Sequence, residues 1–187
     1  MINKINNYFM LKKLKFFLIL ILVLFFSYSF TAMYSFHQLH KGIYFNDKKL
    51  IENYVDWQSV RGNVKNYINI EILKKSQSEE IFKQLGDVGI LLSGFAGKFV
   101  EIAIDTYLNS DGISLLLEKS QKKDEVPKPS IITLLGSFTI MDNNGLNSFY
   151  INYENEGEKY PIYFTRDGLK WKITNIEFPK DLFEKIK

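Results

Sequence analysis

The chain contains no cysteine. That excludes disulfides, thiol catalysis, thiolate metal sites and a lipid-modified cysteine at the N-terminus. Histidine is nearly as scarce, with 2 residues, His37 and His40. Arginine occurs only as Arg61 and Arg166, so bidentate recognition of phosphate or carboxylate has few places to occur. There is no Asn-x-Ser/Thr glycosylation acceptor. Basic charge is missing where nucleic-acid binding would need it. The formal net charge is +3, but residues 1–15 hold Lys4, Lys12, Lys13 and Lys15 and no acid, which leaves 20 basic against 21 acidic residues in the rest. A domain with no cationic excess has no face with which to displace counterions, so no nucleic-acid partner is expected.

Hydrophobic and aromatic residues are plentiful, 46% and 16% of the 187 residues. From Phe16 to Phe36 the chain carries no charge: FFLILILVLFFSYSFTAMYSF. At about 1.5 Å per residue a helix of this length spans a hydrocarbon core of roughly 30 Å, and a helix satisfies its own backbone there. Lysines precede the run and the first one beyond it is Lys41, so the positive-inside bias keeps the tail in the cytoplasm. The expected layout is a basic tail at 1–15, a transmembrane anchor at 16–36 that binds the lipid bilayer, and one exported domain at 37–187. The location expected is the cytoplasmic (inner) membrane, single-pass, N-terminus inside. The alternative is a cleaved signal peptide, with small residues at Ser27, Ser29, Thr31 and Ala32. The run is longer than a signal core and lacks the alanine-rich cleavage pattern.

The domain divides into a helical part (37–119), a linker (120–130) with Pro127 and Pro129, and a sheet part (131–187). The first helix continues to a break near Tyr44–Asn46. Asp47 caps a short helix with Leu50, Ile51 and Tyr54 on its apolar side. Trp57, Val60, Val64, Tyr67, Ile68 and Leu73, three or four apart, mark one face of a longer helix. Ser78 with Glu79–Glu80 reads as the next helix start. Ile81–Leu108 reads as the buried helix of the domain, with Gly89, Ser93 and Gly97 as a small-residue stripe. Ser110 reads as the cap of DGISLLLEKS. After the linker the period becomes two: Phe138–Ile140, then Phe149–Tyr153, Tyr160–Phe164 and Leu169–Ile173. Turns are expected at Asn144-Gly145, Glu154–Glu158 and Arg166–Gly168. Pro161 is expected at an edge or a bulge, and a short helix is expected after Pro179. Helices first and about four antiparallel strands after give an α+β domain with helices packed on a C-terminal sheet.

No catalytic, metal or cofactor signature is found. His37 and His40 share a helix face but lack a third ligand near in sequence. Among the scattered acids only Glu101 and Asp105, four apart on a largely apolar helix, are mild candidates, and their position marks the polar side of that helix. Ser93 lacks the upstream glycine of a nucleophile elbow. Gly86–Gly89 and Gly94–Gly97 lack the lysine-hydroxyl pair of a phosphate loop.

The run Tyr54-Val55-Asp56-Trp57-Gln58-Ser59-Val60-Arg61, the apolar helix Gly89–Leu108, the Asp111-Gly112 turn and the closing Gly168-Leu169-Lys170-Trp171-Lys172-Ile173 together resemble domain-of-unknown-function family 2939. The resemblance covers roughly residues 33–178. It implies an N-terminal hydrophobic segment, a bacterial envelope source and no assigned activity, with Gln58 standing where the family often has proline. Asp56, Trp57 and Arg61, with Gly168 and Trp171, are the structural hallmarks. Asp56 is expected to cap, Trp57 to pack, and Arg61 to pair back to Asp56.

The function expected is non-enzymatic: an exported domain that binds an envelope partner protein or a small apolar ligand. Tyr150, Tyr163, Lys170 and Lys172 form the candidate partner face. The alternatives are an envelope hydrolase, or a free periplasmic protein after signal cleavage.

Overall fold

The computed structural model describes residues 2–78, 87–119, 126–155 and 157–178. Helix α1 runs unbroken over Ile2–Phe45, about 66 Å at 1.5 Å per residue. It stops where Asn46 turns into the left-handed region (φ 53°) and the Asp47 amide closes back on the Gly42 carbonyl at 2.8 Å. The Asp47 carboxylate then accepts from the Leu50 amide at 3.1 Å and starts α2 (Lys48–Tyr54). Helix α2 folds back along α1 through Gly42. A Cβ at that position would press on Leu50 and Ile51 at 3.0–3.1 Å.

Helix α3 covers Trp57–Ser78, α4 Asp87–Tyr107 and α5 Ser110–Lys119. Ser78 is thus the end of α3. The helix start expected beyond it, at 79–86, lies outside the described residues, as do linker residues 120–125, Glu156 in the second turn, and the terminal helix after Pro179. Helix α4 corrects the sequence reading over its second half. Ile104 is buried there, but Phe99, Ile102 and Tyr107 are exposed, so this stretch lies on the surface with one face against α3. The side chains of 88–96, including Ser93, lie outside the described residues. The cap of α5 is Asn109, whose side-chain oxygen accepts from the Gly112 amide at 2.9 Å; Ser110 is the first helical residue. A Cβ at Gly112 would collide with the Tyr107 carbonyl, so only glycine fits this junction.

Residues 131–140 are the largest departure from expectation. They form helix α6 (Ile131–Gly136) and a 3-10 turn (Ser137–Ile140), whereas the alternation of Phe138–Ile140 predicts a strand there. The Ser130 hydroxyl accepts from the Thr133 amide and the Thr133 hydroxyl accepts from the Ser130 amide. This reciprocal capping box outweighs so short an alternation.

The sheet that follows is the expected antiparallel meander, in order β1 (Met141–Asn143), β2 (Ser148–Asn155), β3 (Glu158–Asp167) and β4 (Lys170–Ile176). Gly145 (φ 120°) and Gly168 (φ 63°) supply the positive φ of the β1–β2 and β3–β4 turns. Pro161 lies in β3, opposite Asn152 of β2 and just beyond the last β3–β4 pair, Ile162–Ile176, so on the β4 side it stands at the end of the ladder. It is tolerated because its carbonyl side meets the Glu177 amide just past the end of β4, so no ladder partner loses a donor.

The apolar face of the sheet packs on the second half of α1. Phe164 is fully buried and stacks on Phe149 at 4.7 Å, with Phe36 edge-on at 6.1 Å. Leu39, Ile51, Tyr54, Val55, Trp57 and Val60 extend the same core across α1, α2 and α3. Each such side chain contributes about 1.5–3 kcal/mol by burial. One edge of the sheet is only three residues long (β1), and the other, β4, is sealed. Along β4 the Trp171 amide donates to the Ser35 hydroxyl at 3.0 Å, the Ile173 carbonyl accepts from the Asp56 amide at 2.8 Å, and the Thr174 carbonyl accepts from Asn63 at 3.0 Å.

Candidate functional site

Trp171 joins the sheet to the apolar helix. Its amide is held by Ser35, its indole Nε1 donates to the Thr31 hydroxyl at 3.0 Å, and the Tyr28 ring meets it edge-on at 5.4 Å. Ser35 is 1% exposed and Trp171 2%. Residues 28–36, read from sequence as the outer part of the anchor, therefore contribute to the domain core as well. Below Tyr28 the helix changes character: every residue from Met10 to Ser27 is exposed.

Where these two regimes meet, a groove of about 780 Å³ opens between α1 and the 131–140 segment. Phe25, Phe30 and Met33 form one wall, and Leu135 and Phe138 the other. A smaller groove of about 220 Å³ adjoins it and shares Phe25, Ser29 and Phe138. It runs in past Met141 and Phe149 to Trp171. No charged residue lines either groove, and the polar groups of the larger one are the hydroxyls of Ser27, Ser29 and Thr31. Such a lining accepts an apolar chain and offers no acid, base or nucleophile-base pair. The sequence does not show this groove directly: Phe138 reads as the start of a strand there, and the two walls lie about a hundred residues apart in the chain. The available signal was Pro129-Ser130-x-x-Thr133 ahead of Ile131, Leu134, Leu135 and Phe138, a helix start followed by helical spacing.

The hallmark residues are structural. The Asp56 carboxylate accepts from the Ser59 amide at 3.1 Å and the Ser59 hydroxyl at 2.7 Å, and so caps α3. The Ser59 hydroxyl, more than any other group, holds the Asp56 pKa below the usual aspartate value, despite the opposing cost of partial burial. A depressed folded-state pKa means that the stabilisation is present above the unfolded value near 3.8 and is lost as pH falls through the folded one. Asp56→Ala should lower stability by about 1 kcal/mol at neutral pH. Asp56→Asn should keep most of the cap and flatten the acid limb of a pH series of thermal unfolding curves.

Trp57 is buried and its Nε1 donates to Glu52 at 2.7 Å. Arg61 does not reach back to Asp56. It donates to the Leu108 carbonyl at 3.2 Å and approaches Asp105 at 3.7 Å, because its position on α3 faces α4.

The candidate partner face is brought together. Tyr150 and Tyr163 are cross-strand partners with ring centroids 5.4 Å apart, and Lys170 and Lys172 follow on the same outward side of β4. Burial first, then a hydrogen bond with Glu177, raises the Tyr163 pKa. Lys172 pairs with Asp167 at 2.7 Å, and the Lys170 ammonium lies 5.7 Å over the Tyr54 ring.

His37 and His40 sit on α1 with ring centroids 6.4 Å apart. Among the described residues no group of three or more His, Cys, Asp or Glu side chains converges as a metal site would. Glu101 and Asp105 are both exposed on α4, and Asp105 pairs with Lys65 at 2.6 Å.

No curated protein and no solved structure matches the chain. One family model does, over residues 21–116, from the middle of the apolar helix to the middle of α5. The Gly168–Ile173 strand, part of the resemblance seen in the sequence, lies beyond that match. Because it takes in half of the chain and includes the second half of the apolar helix, Asp56, Trp57 and Arg61, the chain belongs to the family described as protein of unknown function DUF2939.

Proposed function

We propose that this is an uncleaved, single-pass membrane protein of the cell envelope, with its basic tail in the cytoplasm and its α+β domain outside. On this reading it performs no chemistry and works by holding an apolar ligand in the groove between α1 and residues 131–140. The observation that carries the reading is the continuity of α1. The helix passes from an all-exposed apolar stretch into the core without a break, and Trp171 is bonded to Thr31 and Ser35 on its far half. Cleavage among Ser27–Ala32, where a signal peptidase would act, would cut through the helix that supports the sheet. The lysines at Lys12, Lys13 and Lys15 support an inside tail. The hydrolase alternative would need acids in a cleft, whereas Glu101 and Asp105 face solvent. The outward face at Tyr150 and Tyr163 leaves room for a protein partner as a second reading, supported by the paired tyrosine rings.

The test is protease added to spheroplasts carrying a C-terminally tagged protein, with carbonate washing of the membranes. Loss of the tag from a full-length, carbonate-resistant species is the expected result. A protected tag overturns the orientation, and a shortened, carbonate-soluble product overturns the anchor.

A further inference from the structure

The exposed, uncharged part of α1 is too short for the membrane it would cross. Phe16–Ser27 is 12 residues, about 18 Å of helix against a hydrocarbon core of roughly 30 Å. Snorkelling of the stems of Lys12, Lys13 and Lys15 covers part of the shortfall at the tail end. The remainder falls at Tyr28 and beyond, where α1 is already packed against the domain. The bilayer surface must therefore reach the domain itself.

At that level the domain presents an apolar end. Ile131 (70% exposed), Ile132 (77%), Leu135 (60%) and Phe138 (57%) project from α6 and the 3-10 turn. Residues 131–140 carry no charge and are bounded by Lys128 and Asp142. Ten residues cannot cross a bilayer, but an apolar face of that size can lie in its interface. The polar groups of the segment are satisfied internally, as a water-poor setting requires. Thr133, Ser137 and Thr139 hydroxyls donate to the carbonyls of Ser130, Leu134 and Gly136 at 2.9, 2.6 and 2.7 Å.

The sheet contributes to the same end. In the meander, the β1–β2 and β3–β4 turns emerge together, and each carries an exposed leucine at its tip, Leu146 (84%) and Leu169 (76%). The first turn borders the groove beside Phe25 and Tyr28, and the Arg166 guanidinium lies 5.0 Å over the Tyr28 ring. Arg166 and Lys170 thus flank the β3–β4 tip, together with Asp167.

We propose that residues 131–140, with the Leu146 and Leu169 turns, form a second membrane contact that seats the domain in the leaflet on its own side of the bilayer, and that phospholipid acyl chains fill the groove beside α1. This rests on the anchored reading above and names the ligand of that groove. It makes the domain a rigidly oriented body on the membrane surface, with the Tyr150–Tyr163 side of the sheet held in a fixed direction.

The absence of cysteine makes the test direct. Single variants Ile132→Cys, Phe138→Cys, Val23→Cys and Tyr153→Cys of the full-length protein are spin-labelled and reconstituted into phosphatidylcholine–phosphatidylglycerol vesicles. All four positions are exposed, so the labels do not disturb the core. Collision of each nitroxide with oxygen, which partitions into lipid, is compared with collision with a water-soluble nickel chelate. The expected result is an oxygen-to-nickel ratio at Ile132 and Phe138 several-fold above that at Tyr153 and approaching that at Val23. Labels at Ile132 and Phe138 as open to nickel as Tyr153 overturn the second contact and leave the anchor intact. Labels shut off from both reagents overturn it in favour of a protein or a second copy on this face. A nickel-accessible Val23 overturns the anchor and the second contact together.

Discussion

A chain lacking residues 1–36 should fail to fold, whereas one lacking residues 1–24 should keep its tertiary structure. The longer deletion removes Ala32, Met33 and Ser35 from the interior and the Phe36 ring that meets Phe164 edge-on. Loss of one large core side chain costs about 3–5 kcal/mol. Both partners of Trp171 go as well, and a buried donor left unpaired costs about 1–3 kcal/mol. The total approaches the roughly 5–15 kcal/mol by which a domain is stable at all. Of the residues removed by the shorter deletion, 10–24 are all exposed and none belongs to the domain core. Near-UV circular dichroism and resistance to limited proteolysis, both in detergent, separate the outcomes. A folded 37–187 fragment would mean that the domain is independent of its helix, and a cleaved, freely diffusing product would become the better reading.

This dependence was only partly legible in the sequence. The charge-free run Phe16–Phe36 announces a span by composition, and composition does not say which part of the run also faces a protein core. What shows the double use is Ser35: a serine in an apolar run reads as the weak end of a span until Trp171, 136 residues later, donates to it. Local chemistry carried the turns and caps well, because Asp47, Asp56, Asn144-Gly145 and Gly168 act on neighbours a few residues away. The failures share one cause, the neglect of context at short range or of partners at long range. Phe138–Ile140 alternates over too few residues to outweigh the Ser130–Thr133 capping box. Helix α4 is apolar enough to be buried, yet α3 covers only one side of its second half, and Phe99, Ile102 and Tyr107 remain outside. The groove was invisible for the same reason, since its walls lie about a hundred residues apart in the chain.

The second large effect is expected at Trp171. Trp171→Ala should destabilise the domain by about 3–5 kcal/mol, since the residue is 2% exposed and packs on Tyr28 and Phe149 at once. Trp171→Phe should retain most of the packing and lose the bond to Thr31, a change of about 1 kcal/mol. Thr31→Val should cost a comparable amount alone and little more in the Trp171→Phe background, because the two changes remove the same hydrogen bond. Thermal unfolding in one detergent, for the parent, the two single variants and the double variant, gives the cycle. Additive losses would mean that the indole and the Thr31 hydroxyl do not interact. Such a result would remove one of the two bonds by which Trp171 ties the sheet to α1. The alanine variant has a further consequence on the membrane. With the sheet released from α1 and the anchor untouched, the domain becomes a tethered body, and a spin label at Ile132 should move from oxygen-rich to nickel-rich surroundings while one at Val23 stays in lipid. The same side chain that stabilises the fold would then be what holds its apolar end against the bilayer.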